Sequence, residues 1–256
     1  MLVENRVALI TGSTSGGMGR SIALTLARNG ADVVLNYGTH RQDAQADAEA
    51  QAVKQAIENF GRRALLIKAD TTQAKAVETM VQTVLDTFGK VDILVNNAGG
   101  GWNPADITEL SPEQFHAVLQ AEIEGAFYAI RACLPVMRQN RWGRIINLGA
   151  YNAGTWAAEH GEPVEYALGK GGRTLLTRHL AQRERAHNIT TNQINPGPGH
   201  TAHFTSLDEA VAYSQHNAQW ANRQRCTPQD IADAVLFLCT EEARFISGAH
   251  LNFVIQ

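Results

Sequence analysis

Short runs dense in Val, Ile and Leu alternate with long helical stretches from one end of this chain to the other, and that alternation limits its fold more than any other feature. The apolar runs are Arg6–Ile10, Asp32–Leu35, Ala64–Ile67, Val91–Val95, Arg144–Leu148, Ile189–Ile194 and Ala249–Val254. Several are nearly continuous in apolar residues, as expected of strands buried on both faces. Helices are predicted near 18–29, 42–59, 73–88, 112–139, 164–186, 206–220 and 228–239. Ser111-Pro112-Glu113 reads as a cap followed by Pro in the first turn, and Thr227-Pro228 repeats the signal. Strand–helix alternation implies right-handed crossovers and a parallel sheet covered on both faces. The expected fold class is therefore α/β: a doubly wound, Rossmann-type parallel sheet of about seven strands, with its ligand crevice at the carboxyl ends of the strands. No linker and no internal repeat divides the chain, so residues 1–256 read as a single domain. The Ala-, Gln- and Asp-rich stretch 40–59 reads as a solvated amphipathic helix.

Composition narrows the function. Hydrophobic residues make up 44% and charged residues 18% of the chain, enough apolar material for a sizeable core. Twenty-two Lys and Arg stand against 25 Asp and Glu, for a net charge of -3. That balance offers no basic excess to nucleic acid. Mean hydropathy is -0.21 and no apolar run approaches a membrane span, so no membrane partner is expected. Glu4 and Arg6 interrupt what would have to be a signal core, which points to a cytoplasmic protein. Cys133, Cys226 and Cys239 are odd in number and sit in apolar helical contexts; they read as reduced thiols, not as a disulfide framework or a zinc site.

The first strand runs into Thr11-Gly12-Ser13-Thr14-Ser15-Gly16-Gly17-Met18-Gly19, ahead of a helix. Glycines let the backbone turn sharply and approach a pyrophosphate, and the helix start then presents N–H groups and a positive dipole end to the anion. Four glycines in these positions exceed what a tight turn alone requires, so the turn reads as a nucleotide cradle. The GxGxxG string itself is not met, because Ile22 stands where its last Gly would. A carboxylate closing the second strand would receive the ribose 2′-hydroxyl of NAD. This strand ends instead in Asn36-Tyr37-Gly38-Thr39-His40-Arg41, which favours a 2′-phosphate and hence NADP(H) over NAD(H); the plainer alternative is that Arg41 begins a solvated helix.

Several stretches together make the chain resemble the short-chain dehydrogenase/reductase family. They are the 11–19 turn, Asp70-Thr71 after the third strand, Asn96-Asn97-Ala98-Gly99 after the fourth, Tyr166-Ala167-Leu168-Gly169-Lys170, and Pro196-Gly197 followed by Thr201. The resemblance covers essentially the whole chain and is nearest to single-domain reductases of the 3-oxoacyl-carrier-protein reductase type. It implies a seven-stranded sheet and a homo-oligomer, tetramer or dimer. It places Asp70 near the adenine, the 96–99 run along the cofactor, and Thr201 on the nicotinamide carboxamide. The expected cofactor-binding set is Gly12, Ser13, Thr14, Ser15, Gly17, Met18, Gly19, Asn36, Tyr37, Arg41, Asp70, Thr71, Asn97, Ala98, Gly99, Tyr166, Lys170, Pro196, Gly197 and Thr201. The glycine turn departs from the family by one residue, with four positions rather than three between Gly12 and Gly17.

Tyr166 and Lys170 lie four apart on a predicted helix and share a face. An ammonium near a phenol favours phenolate and lowers its pKa from about 10. Such a tyrosine can give a proton to a carbonyl oxygen as hydride arrives, or take it back in oxidation. Two groups implied by the resemblance are altered. The serine that would donate to the substrate carbonyl maps to Ala150, and Tyr151 or Asn152 is expected to supply that donor. The asparagine that would hold a water near the lysine maps to Glu122. Glu122 could pair with Lys170, carry protons itself, or point elsewhere from an ordinary helix.

The substrate side is expected to involve Gly100, Gly101 and Trp102, then Tyr151–Glu162, then 198–220. The aromatic and histidine content of these stretches suits a ring-bearing or extended apolar small molecule. His200, His203 and His216 are irregularly spaced and lack clustered carboxylates or thiols, so no metal is expected. The expected activity is an NADP(H)-dependent interconversion of carbonyl and alcohol. The alternatives are a non-redox lyase, isomerase or cyclase on the same scaffold, motivated by Ala150 and Glu122, and a nucleotide-sensing protein without catalysis.

Overall fold

The computed structural model describes residues 1–39, 44–100, 105–151, 163–197, 208, 211–212 and 226–253. Along the chain these form β1 (Val7–Ile10), α1 (Met18–Arg28), β2 (Asp32–Tyr37), α2 (Ala44–Asn59), β3 (Ala64–Lys68), α3 (Ala74–Phe88) and β4 (Ile93–Asn96). Then follow α4 (Pro112–Leu119), a π turn (Gln120–Glu124), α5 (Gly125–Asn140), β5 (Gly143–Leu148), α6 (Val164–Arg183), β6 (Ile189–Pro196), α7 (Pro228–Cys239) and β7 (His250–Phe253). The strands make one seven-stranded sheet in the order β3-β2-β1-β4-β5-β6-β7. Every pairing is parallel.

Alternation along the strands sends side chains to two cores. Ala8, Ile10, Val33 and Leu35 meet Ile22 and Leu26 of α1, Ile57 of α2 and Val235 of α7 on one face. Val7, Leu9, Val34 and Leu94 meet Val77 and Val84 of α3, Ile130 of α5 and Leu180 of α6 on the other. The sheet is thus covered on both sides, as its apolar strands require. Capping boxes start α4 at Ser111 and α7 at Thr227. Cys133 and Cys239 are buried, and burial pushes both thiols up to about 12. Among the described residues no helix is long and apolar enough to cross a membrane.

The predicted helix 112–139 is corrected: it is broken by the π turn, where the Gly125 N–H donates to Gln120 O, five residues back. Widening one turn re-aims its side chains. Here it drives Glu122 fully into the interior. A close packing contact adjoins the break, since a Cβ on Gly125 would stand 3.1 Å from Thr71 O. The predicted helix 206–220 lies largely outside the described residues.

Candidate active site

Strand order reverses between β1 and β4, and the glycine turn leaves the sheet there. The Thr11 N–H donates to Val95 O at 3.0 Å, continuing the ladder into the turn. The Thr11 hydroxyl accepts the N–H groups of Asn97 and Ala98, each at 3.0 Å. The Asn97 amide donates to Thr11 O and Gly12 O at 2.9 and 2.8 Å. The turns after β1 and β4 are therefore clasped to one another. Gly12 has φ +63°, and a Cβ on Gly19 would stand 2.5 Å from Gly12 O and 2.6 Å from the Asn97 amide nitrogen. Only glycine fits at both positions. Helix α1 then begins behind Gly17 with no side-chain cap and no acidic residue in its first turn.

A cavity of about 470 Å³ opens over this turn. Its described lining includes Gly12, Ser15, Gly17, Met18, Gly19, Asn36, Gly38, Asp70, Thr71, Asn97, Ala98 and Gly99. The donor set suits a dinucleotide's phosphates: backbone N–H groups at a helix start with no side-chain cap, no acidic residue in that helix's first turn, and glycines that keep the floor low. Ser13, Thr14, Tyr37, Tyr166, Lys170, Pro196 and Gly197 of the predicted set lie outside the described lining. Ser13 is buried and its N–H donates to Asn36 O at 2.9 Å. The Asn36 amide donates to Ala69 O at 3.0 Å and its oxygen accepts the Gly12 N–H at 3.3 Å, so it braces the turn from below. Tyr37 has the Lys68 ammonium 5.5 Å from its ring centroid, and burial together with Asp47 pushes its phenol up. Asp70 accepts the N–H and hydroxyl of Thr72 at 2.9 and 2.8 Å.

Tyr166 and Lys170 do share a face of α6, with the Lys170 Nζ 5.3 Å from the Tyr166 ring centroid. Nζ also donates to Leu148 O, at the end of β5, at 3.2 Å. Lys170 is buried, and burial brings its pKa down to about 8, with the Arg173 charge acting the same way and Glu122 opposing.

Glu122 is wholly buried at the meeting point of the π turn, α6 and the loop after β4. Its Oε1 accepts the Gly100 N–H at 2.7 Å. Its Oε2 stands 3.0 Å from Lys170 Nζ and 3.3 Å from Arg173 Nη2. Burial pushes the carboxyl up, but Lys170, Arg173 and the Gly100 N–H outweigh it and hold the group below the ordinary carboxylate range. Two glycines make room for it. A Cβ on Gly99 would stand 2.7 Å from both carboxylate oxygens, and one on Gly169 would stand 2.5 Å from the Glu122 Cβ.

Arg173 was not among the residues predicted for the site. It is fully buried and donates to Asn96 O at 3.0 Å, Leu148 O at 2.8 Å, Ala98 O at 2.6 Å and Glu122 O. One guanidinium thus ties together the ends of β4 and β5 and the π turn. Its signal was helical spacing: Lys170, Arg173, Thr177 and Leu180 recur every three or four residues and are all buried.

Ala150 is buried just beyond β5. The Tyr151 N–H donates to Pro196 O at 3.1 Å, joining the ends of β5 and β6, and Pro196 and Gly197 are half-buried there. Arg41, Asn152 and Thr201 lie outside the described residues, as do Gly101, Trp102, residues 152–162 and most of 198–220.

A family model described as "Enoyl-(Acyl carrier protein) reductase" matches residues 12–253. The dehydrogenase subunit BbsD of Thauera aromatica, named for (2S)-[(R)-hydroxy(phenyl)methyl]succinyl-CoA, is 34% identical over 97% of this chain and 94% of its own. The 3-oxoacyl-[acyl-carrier-protein] reductase of Escherichia coli is 32% identical over 98% of this chain and 97% of its own. A crystal structure described as a short-chain alcohol dehydrogenase from Sinorhizobium meliloti 1021 superposes with a TM-score of 0.80 at 29% identity, covering 97% of this chain and 94% of that one. With the cradle, the sheet order and these likenesses in agreement, the chain belongs to the short-chain dehydrogenase/reductase family of oxidoreductases.

Proposed function

We propose that the chain is an NADP(H)-dependent oxidoreductase that interconverts a carbonyl and an alcohol on a small or medium-sized organic substrate. The observation that carries this reading is the Lys170 ammonium 5.3 Å from the Tyr166 ring centroid, at the end of the sheet where the glycine-lined cavity opens. An ammonium so close stabilises the phenolate. Tyr166 then serves as general acid in reduction and general base in oxidation. A dinucleotide held there would supply the hydride in reduction and accept it in oxidation. Gly12, Ser15, Gly17, Met18 and Gly19 would hold its phosphates, Asp70 and Thr71 its adenine side, and the Asn97–Gly99 run its length. Lys170 would hold the nicotinamide ribose, and Pro196, Gly197 and Thr201 the nicotinamide end. NADP(H) is favoured because the described end of β2, Asn36-Tyr37-Gly38-Thr39, carries no carboxylate, and Asp47 from α2 is drawn to Lys68 Nζ at 3.2 Å. Arg41 would then meet the 2′-phosphate. Tyr151 or Asn152 would replace the hydroxyl donor that Ala150 lacks; losing such a donor outright costs a factor of about 100–1,000 in turnover.

The exposed apolar side chains Phe127 of α5 and Leu175 of α6 support self-association of this single cytoplasmic domain as a dimer or tetramer. A second reading, a non-redox lyase, isomerase or cyclase, draws on the buried methyl of Ala150 and on Glu122 where the family is expected to carry asparagine.

Fluorescence titration with NADPH and NADH, followed by turnover with a panel of ketones, tests the proposal. Tighter binding of NADPH and one NADPH oxidised per alcohol formed are expected. No binding of either dinucleotide overturns the proposal; product formed with the cofactor unchanged moves the second reading ahead.

A further inference from the structure

Glu122 and Arg173 are two buried charges that the Tyr166–Lys170 pair does not by itself require. A buried carboxylate and a buried guanidinium persist only where each is paired. Here they are paired with one another and with Lys170: the same Oε2 stands 3.0 Å from Lys170 Nζ and 3.3 Å from Arg173 Nη2. One anion between two cations leaves the cluster with a net charge of about one positive unit, as Lys170 would have beside a neutral residue.

We propose that Arg173 is a positioning residue for Lys170: it shares the Glu122 carboxylate, so that the ammonium is not neutralised by a private counter-ion and its charge stays directed at Tyr166. Arg173 is built for this. Its remaining donors are fixed on the carbonyls of Asn96, Leu148, Ala98 and Glu122, so the guanidinium cannot swing away from the carboxylate. Glu122 is equally fixed, by the Gly100 N–H at 2.7 Å and by the close approach of Gly99 and Gly169. Lys170, held also by Leu148 O at 3.2 Å, is the member that reaches Tyr166.

The charged and titratable groups facing this cluster can be named. The π turn contributes Glu122; α6 contributes Lys170, Arg173 and Tyr166. Strands β4 and β5 contribute neutral groups, their carbonyls and the hydrogen-bonded amides of Asn96 and Asn147. Helix α4 turns Glu113 and His116 to solvent, and the Glu124 carboxylate before α5 accepts the Tyr128 hydroxyl at 2.9 Å.

The inference rests on the Tyr166/Lys170 reading above, but its test needs no cofactor or substrate. The midpoint of Lys170 is followed by NMR of lysine-labelled protein, with Lys170→Met assigning the signal. In Arg173→Met the midpoint is expected to rise by about one unit or more, because a repelling cation is lost. In Glu122→Gln it is expected to fall, because the attracting anion is lost. In Arg173→Lys, which keeps the charge but not the fork of donors, it is expected to stay near wild type. The Tyr166 midpoint, read from labelled tyrosine, is expected to rise in Arg173→Met. If Arg173 were only a clamp on four carbonyls, Arg173→Met and Arg173→Lys would lose stability alike and leave Lys170 unmoved; that result overturns the proposal. Should Arg173→Met fail to fold, Glu122→Gln decides, an unmoved or raised Lys170 midpoint there being the overturning outcome. Failure of dinucleotide binding would instead strike the functional reading and leave these midpoints interpretable.

Discussion

The Glu122 carboxylate and the Lys170 ammonium meet at 3.0 Å with side chains 0% and 8% exposed, so their pairing is settled inside the protein and not in water. In that setting a neighbouring charge counts for far more than at the surface. Lys170 brings to Tyr166 whatever charge Glu122 and Arg173 leave it.

The first consequence concerns stability against pH. Lys170 is held at about 8, below its ordinary 10.5, chiefly by burial. The unfolded chain therefore binds this proton more tightly than the folded one. The penalty is full below about pH 8 and relaxes as pH rises toward 10.5. Urea unfolding of the wild type and Lys170→Met across that range is expected to show the wild type gaining stability relative to the variant as pH increases. A pH-independent difference would mean that Lys170 is not depressed.

Tyr166→Phe separates chemistry from binding. The variant keeps the ring beside Lys170 and loses only the phenolic hydroxyl. General acid–base groups contribute about 10²–10⁴ in rate. Turnover is expected to fall by that order, while NADPH affinity measured by fluorescence stays within about twofold, because the phosphate cradle is untouched. Equal losses in affinity and turnover would assign Tyr166 a binding role instead.

Two glycines of the cradle are expected to behave differently. A Cβ on Gly19 would press on Gly12 O and the Asn97 amide at 2.5 and 2.6 Å, so Gly19→Ala should force apart the turns after β1 and β4. It is expected to lower both thermal stability and dinucleotide affinity. Gly17 has extended backbone and nothing within 4 Å of an added Cβ. Gly17→Ala is expected to leave stability near wild type and weaken only dinucleotide binding, by filling space at the helix start. Calorimetric melting with and without NADPH distinguishes the two.

How much of this was legible in the sequence depended on range. Strands such as Ile145–Leu148 and the turn from Gly12 to Gly19 are written in local composition, and Tyr166 and Lys170 in local spacing. The break at Gln120–Glu124 was not, because a π turn inside a helix leaves the surrounding apolar periodicity nearly intact. Arg173 was missed for a related reason. An arginine among glycines on a helix reads as solvated, and its burial is made tolerable by distant partners: the Glu122 carboxylate and carbonyl, 51 positions away, and the carbonyls of Asn96, Ala98 and Leu148. Asn36 shows the converse: its place at the end of β2 suggested a ligand contact, and the structure adds that its amide also braces the glycine turn.

The last prediction tests self-association. Leu175 of α6 is 68% exposed and Phe127 of α5 is 47% exposed, on either side of a groove whose walls include Ile123, Leu176 and His179. Large apolar side chains grouped in this way are the kind of surface that a second copy of the chain would cover. Leu175→Glu puts a charge on the wall of that groove without touching either core. Light scattering coupled to size exclusion is expected to show a species of lower mass than the wild type, with unchanged far-ultraviolet circular dichroism. A wild-type protein already monomeric at micromolar concentration, or a variant of unchanged mass, would place any self-association on another face.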